Sequence, residues 1–199
     1  MTENMTEMSH IRGLEAIPAR DMPNRAPAPV DTWHPEHAGS IDIVIDVDGN
    51  WFHGGTPIRR PGLVALFASI LRREPDGSFV LVTPVEKRTI KVADVPFVAV
   101  GILLDGKAAD QVVTLTTNVG DEVTIDKDHP MRFATGAAAA GVSLPYVTIR
   151  RGLEARVARA VFPDLVDAGC VETHDGDRWF GLWSSGVFWP MMRADEAGA

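Results

Sequence analysis

The chain has 199 residues, 45% hydrophobic and 23% charged, with a formal net charge of −8, which fits a soluble globular protein able to bury a core as one large domain or two small ones. The acidic balance argues against a general nucleic-acid binder, because phosphate backbones are held by clustered lysines and arginines. The single cysteine, Cys170, excludes an internal disulfide framework and fits a reducing compartment.

Residues 1–29 place Pro18, Pro23, Pro27 and Pro29 among alanines and alternating charges with no sustained period, which predicts a flexible arm. The first residues show neither a basic start nor a continuous apolar core, so no signal peptide is expected. The most apolar internal run, Val95 to Leu104, is about half of the ~20 residues a membrane helix needs. A cytoplasmic protein without a membrane partner is the expectation. His34 and His37 flank Glu36 in DTWHPEHAG, but Pro35 breaks a helix through His34 and spacing fixes no third ligand, so no metal is assigned.

Ile41 to Arg60, IDIVIDVDGNWFHGGTPIRR, is the densest stretch. Ile41, Ile43, Ile45 and Val47 point to one side of a strand while Asp42, Val44, Asp46 and Asp48 point to the other. Asp48-Gly49 is a turn signal and Trp51-Phe52-His53 a returning strand, so a β-hairpin is predicted. Gly54-Gly55-Thr56-Pro57 is a turn or bulge. Pro61 to Arg73 follows as a helix, with Leu63, Leu66, Phe67, Ile70 and Leu71 on one face, stopped by Pro75-Asp76-Gly77. Phe79 to Thr83 is a short strand ended by Pro84.

From Glu86 to Ala134 the pattern turns to strands alone: Thr89 to Val92, Phe97 to Leu104, Val112 to Thr117, Glu122 to Ile125 and Met131 to Phe133. That shift sets the expected domains at 30–84 and 85–199. Gly136 to Ser143 is a small-residue connection. Tyr146 to Arg150 reads as a strand and Gly152 to Ala168 as a second helix, its stripe formed by Leu153, Val157, Ala160, Val161, Leu165 and Val166, with a kink at Pro163 and a stop at Gly169. A closing hairpin runs from Cys170 to His174 and from Arg178 to Trp189 around Asp175-Gly176. LFASILRREPDGSFVLVTP and LVDAGCVETHDGDRWFGLWSSG share the order helix, Asp-Gly turn, apolar strand, the arrangement two similar helix-plus-sheet domains would give.

Basic residues are grouped at Arg59-Arg60, Arg72-Arg73, Lys87-Arg88 and Arg150-Arg151, and at Arg156 with Arg159. In an acidic protein such pairs suit a pocket for a small phosphorylated ligand, or else the solvated ends of strands and helices.

In DGNWFHGGTPIRR, LVTPVEKRTIKVADVPFVAV, YVTIRRGLEARVARAVF and GLWSSGVFW, taken in that order, the chain resembles the bacterial family called domain of unknown function 1285, from Pro29 to Met191. The resemblance implies two small α+β domains, each a helix packed on antiparallel strands in a duplicated core, the C-terminal one similar to pleckstrin-homology folds. It implies a nucleotide-based ligand where the domains meet and a role in signal transduction, including under oxidative stress, with no reaction attached. The family's motifs fall on Trp51, His53, Thr56, Arg60, Thr83, Glu86, Lys87, Arg150, Glu154, Trp183 and Ser184, and Pro163 departs from the smooth helix usual there. Such a set suits an anionic aromatic ligand, with Arg60, Lys87 and Arg150 on phosphate and Trp51 or Trp183 stacked on a base. The competing assignment makes Trp51 and Trp183 core, and Glu86 and Glu154 the partners of neighbouring arginines.

Two other functions compete. Asp46-Val47-Asp48 after an apolar run matches the opening of haloacid-dehalogenase-type phosphatases, with Asp46 as nucleophile and Asp48 as proton carrier. Thr83, Lys87 or Lys107, and Gly120-Asp121 would complete it, but those enzymes need a parallel sheet with helical crossovers, and Thr83 to Asp121 offers none. The aromatic C-terminal hairpin would instead serve a protein-interaction module. P-loop, dinucleotide and GxSxG signatures are absent, and His53, His129 and His174 are isolated. The expected role is a binding module for a small anionic ligand in the interdomain cleft, without catalysis.

Overall fold

A computed structural model describes residues 11–13, 28–134 and 143–195. The described chain is mostly β-sheet with two short helices, and it divides into two compact units, Met1–Asp94 and Val95–Ala199. The division therefore falls beyond the Thr83 to Val85 boundary that composition suggests, because Lys87–Val92 is an inner strand of the first unit's sheet. Most of the expected arm lies outside the described residues, as does the small-residue connection from Gly136 up to Ser143. Ile11 of that arm is buried.

In the first unit β1 (His37–Ile45) returns through β2 (Trp51–His53) and β3 (Thr56–Pro57). The predicted hairpin forms, with Ile45 opposite Trp51 and Ile43 opposite His53. Ile43, Ile45 and Trp51 are buried. Helix α1 (Pro61–Ser69) follows, then β4 (Leu71–Arg73), β5 (Phe79–Val82) and β6 (Lys87–Val92). The sheet order is β3-β2-β1-β6-β5-β4, antiparallel except where β6 lies parallel to β1. The helix is shorter than the predicted Pro61 to Arg73. Leu71 pairs with Leu81 across strands and both are fully buried, so sheet pairing outweighs the helical period, and Pro75-Asp76-Gly77 turns a hairpin. Asp76 accepts the Ser78 N–H at 2.9 Å and the Ser78 hydroxyl at 2.6 Å inside that turn.

The second unit is built on β7 (Phe97–Asp105), β8 (Val112–Thr117), β9 (Glu122–Thr124), β10 (Met131–Ala134), β11 (Leu144–Arg150) and β12 (Leu153–Val157). They form one sheet in the order β10-β11-β12-β7-β8-β9, with β12 parallel to β7 and the remaining pairs antiparallel. The helix predicted over Gly152 to Ala168 is overturned. Its first part is β12, entered by a two-residue turn in which Arg151 and Gly152 both have positive φ (49° and 71°), the geometry that matches the twist of hairpin strands. Only α2 (Phe162–Asp167) is helical, and Pro163 sits in its first turn, where a missing N–H is harmless.

The chain closes with β13 (Cys170–His174), β14 (Asp177–Ser184) and β15 (Val187–Arg193), a separate three-stranded sheet. The single long strand predicted from Arg178 to Trp189 is thus two, joined by a second tight turn at Ser185-Gly186. In both units a helix leads into a three-stranded antiparallel meander, α1 into β4-β5-β6 and α2 into β13-β14-β15.

Candidate functional site

The family-motif residues fall seven in the first unit and four in the second, and each unit positions its own. Trp51 is core: 2% exposed, it packs on Phe67 with ring centroids 6.1 Å apart, and its indole N–H has no hydrogen-bond partner among the described residues. Its neighbours turn outward. His53 is half-buried opposite exposed Thr56 in the β2–β3 hairpin, whose loop is the exposed pair Gly54-Gly55. Three residues on, Arg59 and Arg60 are both exposed. Arg60 takes the N-cap position of α1 in extended conformation, its carbonyl accepting the N–H groups of Leu63 and Val64 at 3.0 and 3.1 Å. The first turn of α1 carries no acidic residue, and no carboxylate among the described residues pairs with either arginine. The positive end of a helix dipole and two uncompensated guanidinium groups thus share one corner.

Thr83 and Glu86 lie on the turn between β5 and β6, Lys87 opens β6, and all three are engaged. The buried Thr83 hydroxyl donates to the Arg12 carbonyl at 2.8 Å and accepts the Glu86 N–H at 3.2 Å. Glu86, 1% exposed, accepts the Arg12 N–H at 2.8 Å, Arg12 Nε at 3.0 Å and Arg88 Nε at 3.2 Å. Lys87 Nζ donates to Glu74 at 2.8 Å, and Glu74 also takes Arg72 Nε at 2.7 Å while Arg72 Nη1 reaches the carbonyls of Val30 and Trp33. Lys87 first, and Arg72 with it, hold the Glu74 carboxyl below its ordinary range against the opposing effect of burial.

Burial by itself would raise the Glu86 pKa, but the Arg12 N–H and the Arg12 and Arg88 guanidinium groups outweigh it and hold the carboxyl below the usual carboxylate range. A group depressed in the folded state contributes stability that is complete above its unfolded pKa, about 4.3, and is lost as pH falls through the lower folded value. The thermal midpoint should therefore drop in acid, and the Glu86→Gln protein should be less stable at neutral pH while losing part of that acid dependence. Equal pH slopes for the two proteins would show that Glu86 contributes nothing to it.

In the second unit Arg150 is taken by the Asp121 carboxylate and lies over the Phe97 ring, 4.8 Å from its centroid. Glu154 receives a bidentate pair from Arg132 at 2.6 and 2.7 Å, and the Arg132 guanidinium lies 4.5 Å over Tyr146. Trp183 Nε1 donates to Glu172 at 3.3 Å and its ring packs on Phe188. Ser184, fully buried, donates to the Ile125 carbonyl at 2.6 Å and accepts the Val113 N–H at 3.0 Å, tying the small sheet to the large one. Gln111, absent from the sequence-predicted set, does the same through its side-chain amide and the Trp183 carbonyl at 2.8 Å.

Asp46, the nucleophile of the phosphatase alternative, is engaged within the hairpin. Asp46 Oδ1 accepts the N–H groups of Asp48 and Asn50 at 2.9 and 2.8 Å, and Oδ2 takes the Asn50 amide at 3.0 Å, so this carboxylate closes the β1–β2 turn. β1 lies between antiparallel β2 and parallel β6, in a mixed sheet and not the parallel one with helical crossovers that those enzymes need. No group of three His, Cys, Asp or Glu that could hold a metal ion occurs among the described residues, and no described helix is long and apolar enough to cross a membrane.

A cleft of about 440 Å³ lies on the small sheet, lined by Val171, Arg178, Arg193, Ala194 and Asp195. Arg193 is compensated there by Asp177 at 2.7 Å and Asp195 at 4.0 Å and lies over the Trp179 ring. Sequence reasoning missed these arginines, and also Arg12, Glu74 and Arg132, and it placed Asp121 in the phosphatase alternative and not beside Arg150. Most of their partners, such as Glu86 for Arg12, Lys87 for Glu74, Arg150 for Asp121 and Glu154 for Arg132, are distant in the chain, which no local motif encodes.

Residues 28–95 match the family model described as the N-terminal domain of unknown function DUF1285, and residues 96–191 match its C-terminal domain. A crystal structure of a DUF1285 family protein from Silicibacter pomeroyi DSS-3 is 48% identical, with 89% of this chain and 94% of that chain covered at a TM-score of 0.81. One from Shewanella baltica OS155 is 26% identical over 63% of this chain and 91% of that chain, at a TM-score of 0.49. A comparison with curated proteins found no match.

Proposed function

Because the chain belongs to the DUF1285 family, whose N- and C-terminal domains it carries in order, we propose that it is a regulatory module that binds a small anionic, nucleotide-like ligand and carries out no reaction on it. The observation that supports this is the corner of the first unit where Arg59 and Arg60 stand exposed at the start of α1, just after His53, the Gly54-Gly55 loop and Thr56 in the chain. Arginine suits bidentate phosphate recognition, and exposed glycine backbone permits close approach. Lys87 and Arg150, the other basic residues expected to hold phosphate, already pair with Glu74 and Asp121. The cleft on the small sheet is the weaker candidate, since Arg178 is the one arginine in it without a carboxylate partner among the described residues.

A duplicated plan with a pleckstrin-homology-like second domain belongs to the same proposal. It is supported by the helix-to-meander order that recurs in both units. A role in oxidative signalling would need a sensor other than Cys170. Burial first, and the nearby Glu172 carboxylate second, push its thiol up and away from the reactive thiolate.

Thermal unfolding against a panel of nucleotides and cyclic nucleotides, with and without magnesium, tests the assignment. A ligand at 100 times its dissociation constant should stabilise by about 2.7 kcal/mol. One nucleotide should raise the midpoint of wild type and of Arg178→Ala but not of Arg60→Ala. No shift across the panel, or an undiminished shift in Arg60→Ala, would defeat the assignment, and turnover of the bound nucleotide would make the protein an enzyme.

A further inference from the structure

The turn from Thr83 to Arg88 holds a short piece of chain from far away in sequence. Ile11 is 2% exposed. Arg12 is fixed by its N–H and Nε on Glu86 and by its carbonyl on Thr83. Gly13 has φ +83°, and a Cβ there would lie 2.7 Å from Val85 Cγ2 and 3.1 Å from Thr83 Oγ1, so only glycine fits without strain. Three successive positions are thus read in three different ways: an apolar side chain by burial, a guanidinium by a carboxylate, and a glycine by lack of room.

The receiving surface is organised by contacts that do not involve this segment. The Thr83 N–H donates to the Glu86 carbonyl at 2.9 Å, and Arg88 separately holds the Glu86 carboxylate. The Arg12 side chain, by contrast, is 73% exposed, so its cation loses little hydration on docking and regains little on release. A preformed acceptor with a buried carboxylate, facing a short turn of chain bound through both backbone and side chain, is the arrangement of a peptide-recognition site.

We infer that the Thr83–Arg88 turn is a recognition site for turn-forming peptide segments of the type Ile-Arg-Gly, and that Ile11–Gly13 occupies it in cis as a releasable strap. The site is separate from the anion corner at α1 and stands or falls independently of it. A tethered segment competes at an effective concentration on the order of millimolar, so the full chain presents the site closed and exchanges its strap only for a stronger or more concentrated basic segment.

The test uses full-length protein and a fluorescent synthetic peptide of residues 8–16. In Arg12→Glu the new carboxylate faces Glu86 and expels the strap. This variant should bind the peptide at least about tenfold more tightly than wild type, whose site is already filled. A Gly13→Ala peptide should not bind, and Arg60→Ala in the protein should leave peptide binding unchanged. Equal binding to wild type and Arg12→Glu, or none to an Arg12→Glu protein that still unfolds cooperatively, overturns the inference. Should Arg12→Glu fail to fold, full-length Gly13→Ala replaces it. Trypsin should cleave after Arg12 about tenfold faster there than in wild type, in proportion to the population of the released strap, and an unchanged rate overturns the inference equally.

Discussion

Phe97→Ala should lower the free energy of unfolding by about 3–5 kcal/mol, the range for removing a fully buried aromatic side chain. Phe97 is 0% exposed and stands opposite Ala155, where β7 and β12 run side by side. The loss has two sources. The ring's apolar surface is withdrawn from a packed interior that relaxes only partly, leaving a cavity. The ring also carries the Arg150 guanidinium at 4.8 Å, a cation–π contact contributing about 0.5–2 kcal/mol, and its removal frees Arg150 to move against Asp121. Urea unfolding should show a lower midpoint with an unchanged slope, the mark of lost stability without a changed denatured state. A loss under about 1 kcal/mol would mean that the core around β7 refills the space.

Gly181→Val should destabilise by about 3 kcal/mol, the upper end for overpacking a filled core. A Cβ at Gly181 would lie 2.5 Å from the Phe188 ring and 2.5 Å from the Trp189 carbonyl oxygen. The ring has little freedom to yield, being 8% exposed and packed against Trp183 and His174. The carbonyl belongs to the neighbouring strand, so relief means shifting β15 against β14, where Gly181 pairs with Pro190 on one side and Cys170 on the other. Thermal unfolding and the near-ultraviolet signal of the tryptophans would register the change. A midpoint within error of wild type would mean that the two strands are free to part.

Turn chemistry was the most legible part of the fold. Asp48-Gly49, Asp76-Gly77 and Asp175-Gly176 all mark real turns, because aspartate and glycine accept the backbone angles required. Ser185-Gly186 does the same work inside an aromatic run that reads as a continuous strand, and Arg151-Gly152 carries an arginine at positive φ, which local preference disfavours. The segment Leu153 to Val157 satisfies two periods at once. Leu153, Ala155 and Val157 alternate as a strand requires, while Leu153, Val157 and Val161 also fit a helix. Pairing with β7 and β11 decided the outcome, and such pairing is invisible locally. The candidate site divides in the same way. Arg60, Thr56 and His53 lie close together in sequence and so were legible as a group. Trp51 and Ser184 turned out to be interior, and Lys87, Glu86, Arg150 and Glu154 found partners that only the folded chain brings near.

Each six-stranded sheet has one parallel seam, β1 with β6 and β7 with β12. Within each sheet's hairpins the chain returns after short turns, two residues at Gly54-Gly55 and Arg151-Gly152. At the seams it returns only after running through whole other elements. Ile45 meets Val92, and Phe97 meets Ala155. Closing a longer loop orders more chain before any contact compensates, and the entropic cost rises with loop length. The seams are therefore where the loss of chain entropy concentrates, and they make each sheet a single cooperative body. Without its seam, either sheet would be two meanders, each with an open edge.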